Sequence, residues 1–438
     1  MRGRPGSGLP RVGLALSGWA PSPRFLDLVA RLLSGFPRPR FLSAFAFPSF
    51  RRLWLGAFLS SVGTWTQDVA LAWLIHSTLG NPTYLGLRAF AAEAPLLAFM
   101  LVGGALADRF DRRRILLVSQ VLQMTFAACL GVLYATGRLS ILPILLFAFL
   151  TGLTQSQSAP TYQAVLTSVV PPTEISHAVA MNSLQFNLSR AIGPVVAGLL
   201  LVKLGPGACF AANVLSFLAV IVALTRIQVP PHDPTRTREG LGESVGVGLR
   251  HVRESPLLAL LVTLGGAASF LAFPLVTYLP VIAGQRLGSG ATGFSLLLSS
   301  FGAGAIVGAL ATAQRGQAPG RGRIMLRGFA GYGAASALAV MAPRQEWAMA
   351  LLFLAGLSLV TGTSTLNSLV QENIPTALKG RVLAIYGLAF RGGMPVGSLL
   401  AGPLVARLGV SWVIASFSLA LLIVALTLRL RSRRLAAL

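Results

Sequence analysis

The sequence predicts an all-α integral membrane protein of twelve transmembrane helices, arranged as two parallel six-helix repeats. Three observations carry that prediction. Hydrophobic residues make up 54% of the 438 positions and charged residues only 11%, with a mean hydropathy of +0.72, far above a soluble chain of this length. Apolar stretches of the roughly 20 residues that a helix needs to cross a bilayer recur down most of the chain. Sliding the sequence on itself by 204 positions brings its second half into register with its first.

Taken in order, residues 1–47 form a basic extension rich in Arg, Pro and Gly. Within it Phe25–Leu33 has apolar residues at helical spacing over too short a run to span, which suits an amphipathic helix lying in the interface. No apolar core leads to a small-residue cleavage site, so no cleaved signal is expected. The first half, 48–228, holds spans at 53–79, 83–107, 115–136, 141–168, 178–202 and 207–227. Residues 229–256, opening with Pro230-Pro231-His232-Asp233-Pro234, read as a solvated linker. The second half, 257–438, holds spans at 257–283, 291–313, 324–342, 347–370, 381–406 and 411–430.

A formal net charge of +24 invites a nucleic-acid reading, but the placement of the charge decides otherwise. Of 36 Lys and Arg, 28 lie in the first 52 residues, in the loops after spans 2, 6, 8 and 10, and in the tail. Five lie in the alternate loops, and Arg88, Arg190 and Arg391 fall inside spans. That bias is the positive-inside pattern, which puts both termini in the cytoplasm. A nucleic-acid binder would instead gather its basic residues on one folded face. Cys129 and Cys209 sit in apolar runs as small packing residues, with no disulfide framework.

The repeat aligns Gly104-Ala105-Leu106-Ala107 with Gly308-Ala309-Leu310-Ala311, Gly193 with Gly397, Gly198 with Gly402, and Leu204-Gly205 with Leu408-Gly409. A constant offset between halves that start on the same side implies parallel repeats about an axis along the membrane normal, with substrate bound where the halves meet.

Between spans 2 and 3 runs Gly104-Ala105-Leu106-Ala107-Asp108-Arg109-Phe110-Asp111-Arg112-Arg113-Arg114. It resembles the signature loop of the major facilitator superfamily. That resemblance implies a cytoplasmic latch in which Gly104 permits close helix approach, Asp108 supplies the carboxylate, and Arg109 and Arg112 are its basic partners. A carboxylate there can also meet the exposed N–H groups at the start of span 11 near Arg381. Asp111 stands where the pattern has Gly. Ser189-Arg190-Ala191-Ile192-Gly193-Pro194 with Gly198 resembles the antiporter motif of exporting branches, Ser189 replacing an earlier Gly, and Pro194 should kink the helix by removing a backbone donor. From Phe50-Arg51-Arg52-Leu53-Trp54 through Leu204-Gly205-Pro206 the chain is similar to the enterobactin-exporter and macrolide-efflux branch. The resemblance implies a bacterial inner-membrane drug:proton antiporter.

Asp68 and Glu93 are the only carboxylates deep in the expected spans, and such acids are costly unless functional. At about 1.5 Å per residue, Asp68 and Arg88 come to similar depths and can pair, while Glu93 lies near the midplane. Glu93 is therefore the first candidate for proton coupling and Asp68 the second. Ser61, Thr64, Trp65, Asp68 and His76 share one stripe of span 1; Thr151, Gln155, Ser158 and Tyr162 one of span 4; and Asn182, Gln185 and Ser189 one of span 5. These stripes line a cavity or hydrogen-bond between helices. Trp65, Arg88, Gln155, Tyr162, Gln185 and Arg190 are the cavity candidates.

The four histidines are scattered away from ligand spacing, and no phosphate-binding Gly-Lys-Ser or Gly-Lys-Thr loop occurs. No cofactor, metal, catalytic constellation or nucleic-acid partner is expected. The expected partners are a small-molecule substrate, protons and the lipid bilayer, handled by a monomer. An uptake symporter or a lipid flippase would share the fold, and a non-transporting membrane sensor would need no polar cavity.

Overall fold

The computed structural model describes residues 40–229, 241–315, 320–375 and 378–431, and among them every regular element is helical. The long helices are α1 (Pro48–Leu74), α2 (Thr83–Arg109), α3 (Arg112–Ala135), α4 (Ile141–Ser168), α5 (Ile175–Lys203), α6 (Pro206–Arg226), α7 (Leu241–Glu254), α8 (Pro256–Thr277), α9 (Gly290–Arg315), α10 (Arg321–Met341), α11 (Gln345–Glu372), α12 (Lys379–Leu408) and α13 (Val410–Arg431). Apart from α7, each covers a stretch read as a span. Among the described residues, ten helices are long and apolar enough to cross a membrane. Leu142, Val202, Leu215, Trp412 and Ile423 are exposed although apolar, as a bundle solvated by lipid requires.

Local chemistry sets the boundaries. α1, α6 and α8 begin with Pro, whose missing N–H costs nothing in a first helical turn. Asp111 caps α3 by accepting from the Arg114 N–H at 2.7 Å, so the residue that departs from the signature's Gly works as an N-cap. Gly205 and Gly409, equivalent under the 204-residue offset, both take the left-handed region, with φ of 78° and 85°, to let the chain reverse into α6 and α13.

Two expectations change. Residues 229–256 are more than a tether, because α7 lies along α12, with Gly248 close against Arg381 and Ile385. The end of the extension is also part of the fold. Arg40–Ala46 forms a 3₁₀ turn on α5; Ala44 is buried, Phe45 packs edge-on to Phe50 and Trp54, and the Ser43 hydroxyl donates to Glu174. Phe25–Leu33 lies outside the described residues.

Within residues 48–228, α1 packs along α5 and α6, α2 along α4, and α3 along α4 and α6. Within 257–438, α8 packs along α12, α9 along α11, and α10 along α11 and α13. Two seams join these sets, α2 against α12 and α5 against α9. The larger apolar core fills the second set along its length, from Val252, Met325 and Val382 to Tyr278, Leu279 and Phe294, and reaches the first set at the end holding the Gly80, Gly205 and Gly409 turns, through Leu71, Ile75 and Leu85. A separate core around Phe50, Leu53, Val165 and Phe217 fills the opposite end of the first set.

Candidate functional site

Small residues determine how closely the seams approach. A Cβ on Gly193 would overlap that of Trp65, so α5 presses on α1 there, and the Thr66 hydroxyl donates to the Gly193 carbonyl at 3.2 Å. Five residues on, a Cβ on Gly198 would sit 2.8 Å from Ser295 Cβ, so the next notch of α5 takes α9. Pro194 lies inside a helix that continues to Lys203; lacking an N–H, it leaves the Arg190 carbonyl without its intrahelical donor. The stretch expected to act as a kink is thus also the point where three helices meet.

Charged side chains embedded in the helices fall on both seams. Asp68 on α1 and Arg88 on α2 form an ion pair within the first set. Glu93 on α2 and Arg391 on α12 lie 3.6 Å apart across the seam, with side-chain exposures of 22% and 47%. That separation is electrostatic contact without a hydrogen bond, and Glu93 Oε2 has no hydrogen-bond partner. Arg190 has no acid beside it among the described residues. Its guanidinium carbon stands 5.8 Å from the Trp65 ring centre and 5.7 Å from that of Phe301 on α9, so it too bridges the two sets.

The other expected cavity residues have the following surroundings. Gln185 is buried and donates to the Ala57 carbonyl at 3.3 Å and the Ser61 hydroxyl at 2.8 Å, tying α5 to α1 instead of lining open space. Tyr162 packs on the apolar core around Phe50, where its buried hydroxyl has no hydrogen-bond partner among the described residues. Gln155 is half-buried on α4. Part of the span 1 stripe is satisfied by Asn213 of α6, which meets Thr64 at 3.4 Å and Gln67 at 2.9 Å. Asn182 donates to Gln163 at 3.3 Å.

The side chains of residues 100–109 lie outside the described part, and with them those of Gly104, Asp108 and Arg109. Arg112 begins α3. Its neighbour Arg113 reaches the last turn of α6, donating to the carbonyls of Leu224 at 2.7 Å and Thr225 at 2.6 Å. Part of the basic run therefore closes a helix end that would otherwise expose its carbonyls.

Arg391 and Phe301 are the participants that sequence reading missed. Arg391 signalled itself as a cation embedded in a span, but its partner is nearly 300 residues away. Phe301 is one Phe among 24, and only packing sets it against Arg190.

Among the described residues, the seams are closely packed at the Gly80 end. A Cβ on Gly86 would lie 2.5 Å from the Tyr278 hydroxyl and overlap the Ser398 carbonyl oxygen; one on Gly402 would lie 2.9 Å from Thr83 Cα. Trp73 stacks on Phe294 at 6.4 Å in the same layer. Among the described residues, no group of three His, Cys, Asp or Glu is arranged to hold a metal.

Residues 41–437 match the family described as transmembrane secretion effector. The chain is 30% identical to the staphyloferrin A transporter of Staphylococcus aureus over 185 residues, 41% of this chain and 47% of that one, so the match spans about half the relative. It is 25% identical to the enterobactin exporter of Escherichia coli O1:K1 over 366 residues, 82% of this chain and 86% of the relative. Among solved structures it resembles a nucleoside transporter, with a TM-score of 0.70 at 10% identity covering 86% of this chain and 99% of that one. A bacterial homologue of the lysosomal transporter Spinster, in an inward-facing unoccupied conformation, gives 0.67 at 14% identity over 92% and 98%.

Proposed function

The chain belongs to the transmembrane secretion effector family of the major facilitator superfamily, in the branch of the siderophore exporters, and on that premise we propose that it expels a small organic molecule of siderophore or drug type in exchange for protons. All twelve long helices other than α7 cross the bacterial inner membrane as two parallel six-helix repeats, 48–228 and 257–438, joined by the 229–256 linker. The glycines support this architecture. Gly193 of α5 faces α1 and its counterpart Gly397 of α12 faces Phe270 of α8; Gly198 faces α9 and its counterpart Gly402 faces α2. Each repeat makes the same two contacts with the roles of the halves exchanged, as an axis along the membrane normal demands. The positive-inside bias then puts the termini in the cytoplasm and the tight Gly80 end outside.

The observation that carries the proposal is the Glu93–Arg391 pair, a membrane-embedded carboxylate facing a cation of the opposite half across the seam. Ionised, Glu93 holds α2 to α12. A proton on Oε2 removes the attraction and frees the seam to rock, while Asp68, paired with Arg88, has a structural role. Alternating access then follows from which end of the seams is closed, Asp108 with Arg109 and Arg112 latching the cytoplasmic end when the outer end opens. A monomer contains every part.

The test is proton-gradient-driven transport in proteoliposomes. Glu93→Gln is expected to abolish gradient-driven transport while leaving exchange down a substrate gradient intact. Wild-type coupling in that variant would remove Glu93 from the mechanism.

A further inference from the structure

We infer that Arg190 is an anion-binding subsite and that the transported molecule carries a negatively charged group attached to an apolar or aromatic body. The inference rests on the transport reading above and narrows its substrate class.

The charge inventory of the site leads there. The described embedded charges are two acids and three arginines, and each acid has taken one arginine: Asp68 with Arg88, Glu93 with Arg391. Arg190 is left over, with no described carboxylate or carbonyl at hydrogen-bonding distance. What it has are two ring faces, Trp65 from the first half at 5.8 Å and Phe301 from the second at 5.7 Å. Cation–π contact recovers about 0.5–2 kcal/mol, much less than burying a guanidinium in a membrane costs. The rings use its faces, and no described protein group accepts from its five N–H donors, which lie in the guanidinium plane. Such a fork matches a carboxylate or comparable oxyanion bidentately. Phe186, edge-on to Trp65 with centres 6.4 Å apart, adds a ring to the same wall, which accommodates an apolar body beside the charge. Because its two rings belong to opposite halves, Arg190 sits where rocking would change its surroundings, as a transported ligand's subsite must.

The experiment uses three fluorescent probes of one shape: 2-naphthoate, neutral 2-naphthamide and the cation 2-naphthylmethylammonium. Each is titrated against purified full-length protein in detergent and assayed for counterflow in proteoliposomes without a proton gradient. Naphthoate is expected to bind at least tenfold more tightly than the other two. Arg190→Gln should erase that preference, and Arg190→Lys should keep part of it, because lysine retains the charge and loses the planar fork. Size-exclusion profile and thermal midpoint report whether each variant is folded, and should Arg190→Gln not fold, Arg190→Lys and the wild-type ranking decide. Absence of anion preference in the wild type, or a preference unchanged in Arg190→Gln, overturns the inference. Neither readout involves Glu93 or a pH gradient, so failure here is distinguishable from failure of the proton-coupled reading.

Discussion

Replacing Gly86 by Ala tests whether the tight end of the seams is a true closure. The added methyl would lie 2.5 Å from the Tyr278 hydroxyl and 2.9 Å from the Ser398 carbonyl carbon, one of them backbone of the opposite half. Carbon atoms pack best at about 3.5–4.0 Å, so α2 and α12 must part by roughly 1 Å to admit it. Overpacking of this kind costs about 1–3 kcal/mol. The cost falls only on the conformation in which α2 and α12 touch, so it translates into a shift of about 5- to 150-fold toward the outward-open state. A cysteine at Thr83, which Gly402 covers in this conformation, reports the shift through its alkylation rate with a membrane-impermeant maleimide in a background lacking Cys129 and Cys209. The rate should rise at least fivefold in Gly86→Ala. Gly387→Ala, whose new methyl meets nothing within 4 Å, should leave it unchanged. Equal rates in Gly86→Ala and its parent would refute the closure and with it the assignment of this end as the shut one.

Asp108→Asn should impair transport without loss of expression or insertion, because a charge at a partly buried helix start contributes roughly 1–2 kcal/mol to the latched conformation; unchanged transport and unchanged cytoplasmic cysteine accessibility would remove the latch. Arg113→Ala deprives the α6 terminus of two charged donors at 2.7 and 2.6 Å, each worth about 1.5–3 kcal/mol, so the thermal midpoint in detergent should drop by several degrees, and an unmoved midpoint would show that water replaces Arg113 there. Asp68→Asn leaves Arg88 inside the bundle without its partner; lowered stability or weakened substrate binding is expected with proton coupling retained, and loss of coupling alone would exchange the roles given to Asp68 and Glu93.

Hydropathy, charge placement and the 204-residue offset are properties of the chain written in one dimension, and the first two follow from the bilayer as solvent. Lipid demands long apolar helices, and lysine and arginine stay in the loops that are not translocated, so the boundaries of α4 and α12 could be read nearly to the residue. Asp68 with Arg88 was also within reach, because the two lie on consecutive antiparallel helices and depth alone brings them together. The tertiary structure decided what depth and periodicity leave open. Gln185 and Gln155 occupy equivalent-looking polar stripes, yet only the rotation of α5 about its axis turns the first into an interhelical bond. Tyr162, in the same stripe of α4 as Gln155, packs instead on the apolar core around Phe50. Arg391 meets Glu93, and Phe301 meets Arg190, only because α12 and α9 cross to the opposite half. A sequence records which residues are buried in a membrane, but helix rotation and the pairing of halves settle which of them touch, since both are set by side-chain packing summed over every seam at once.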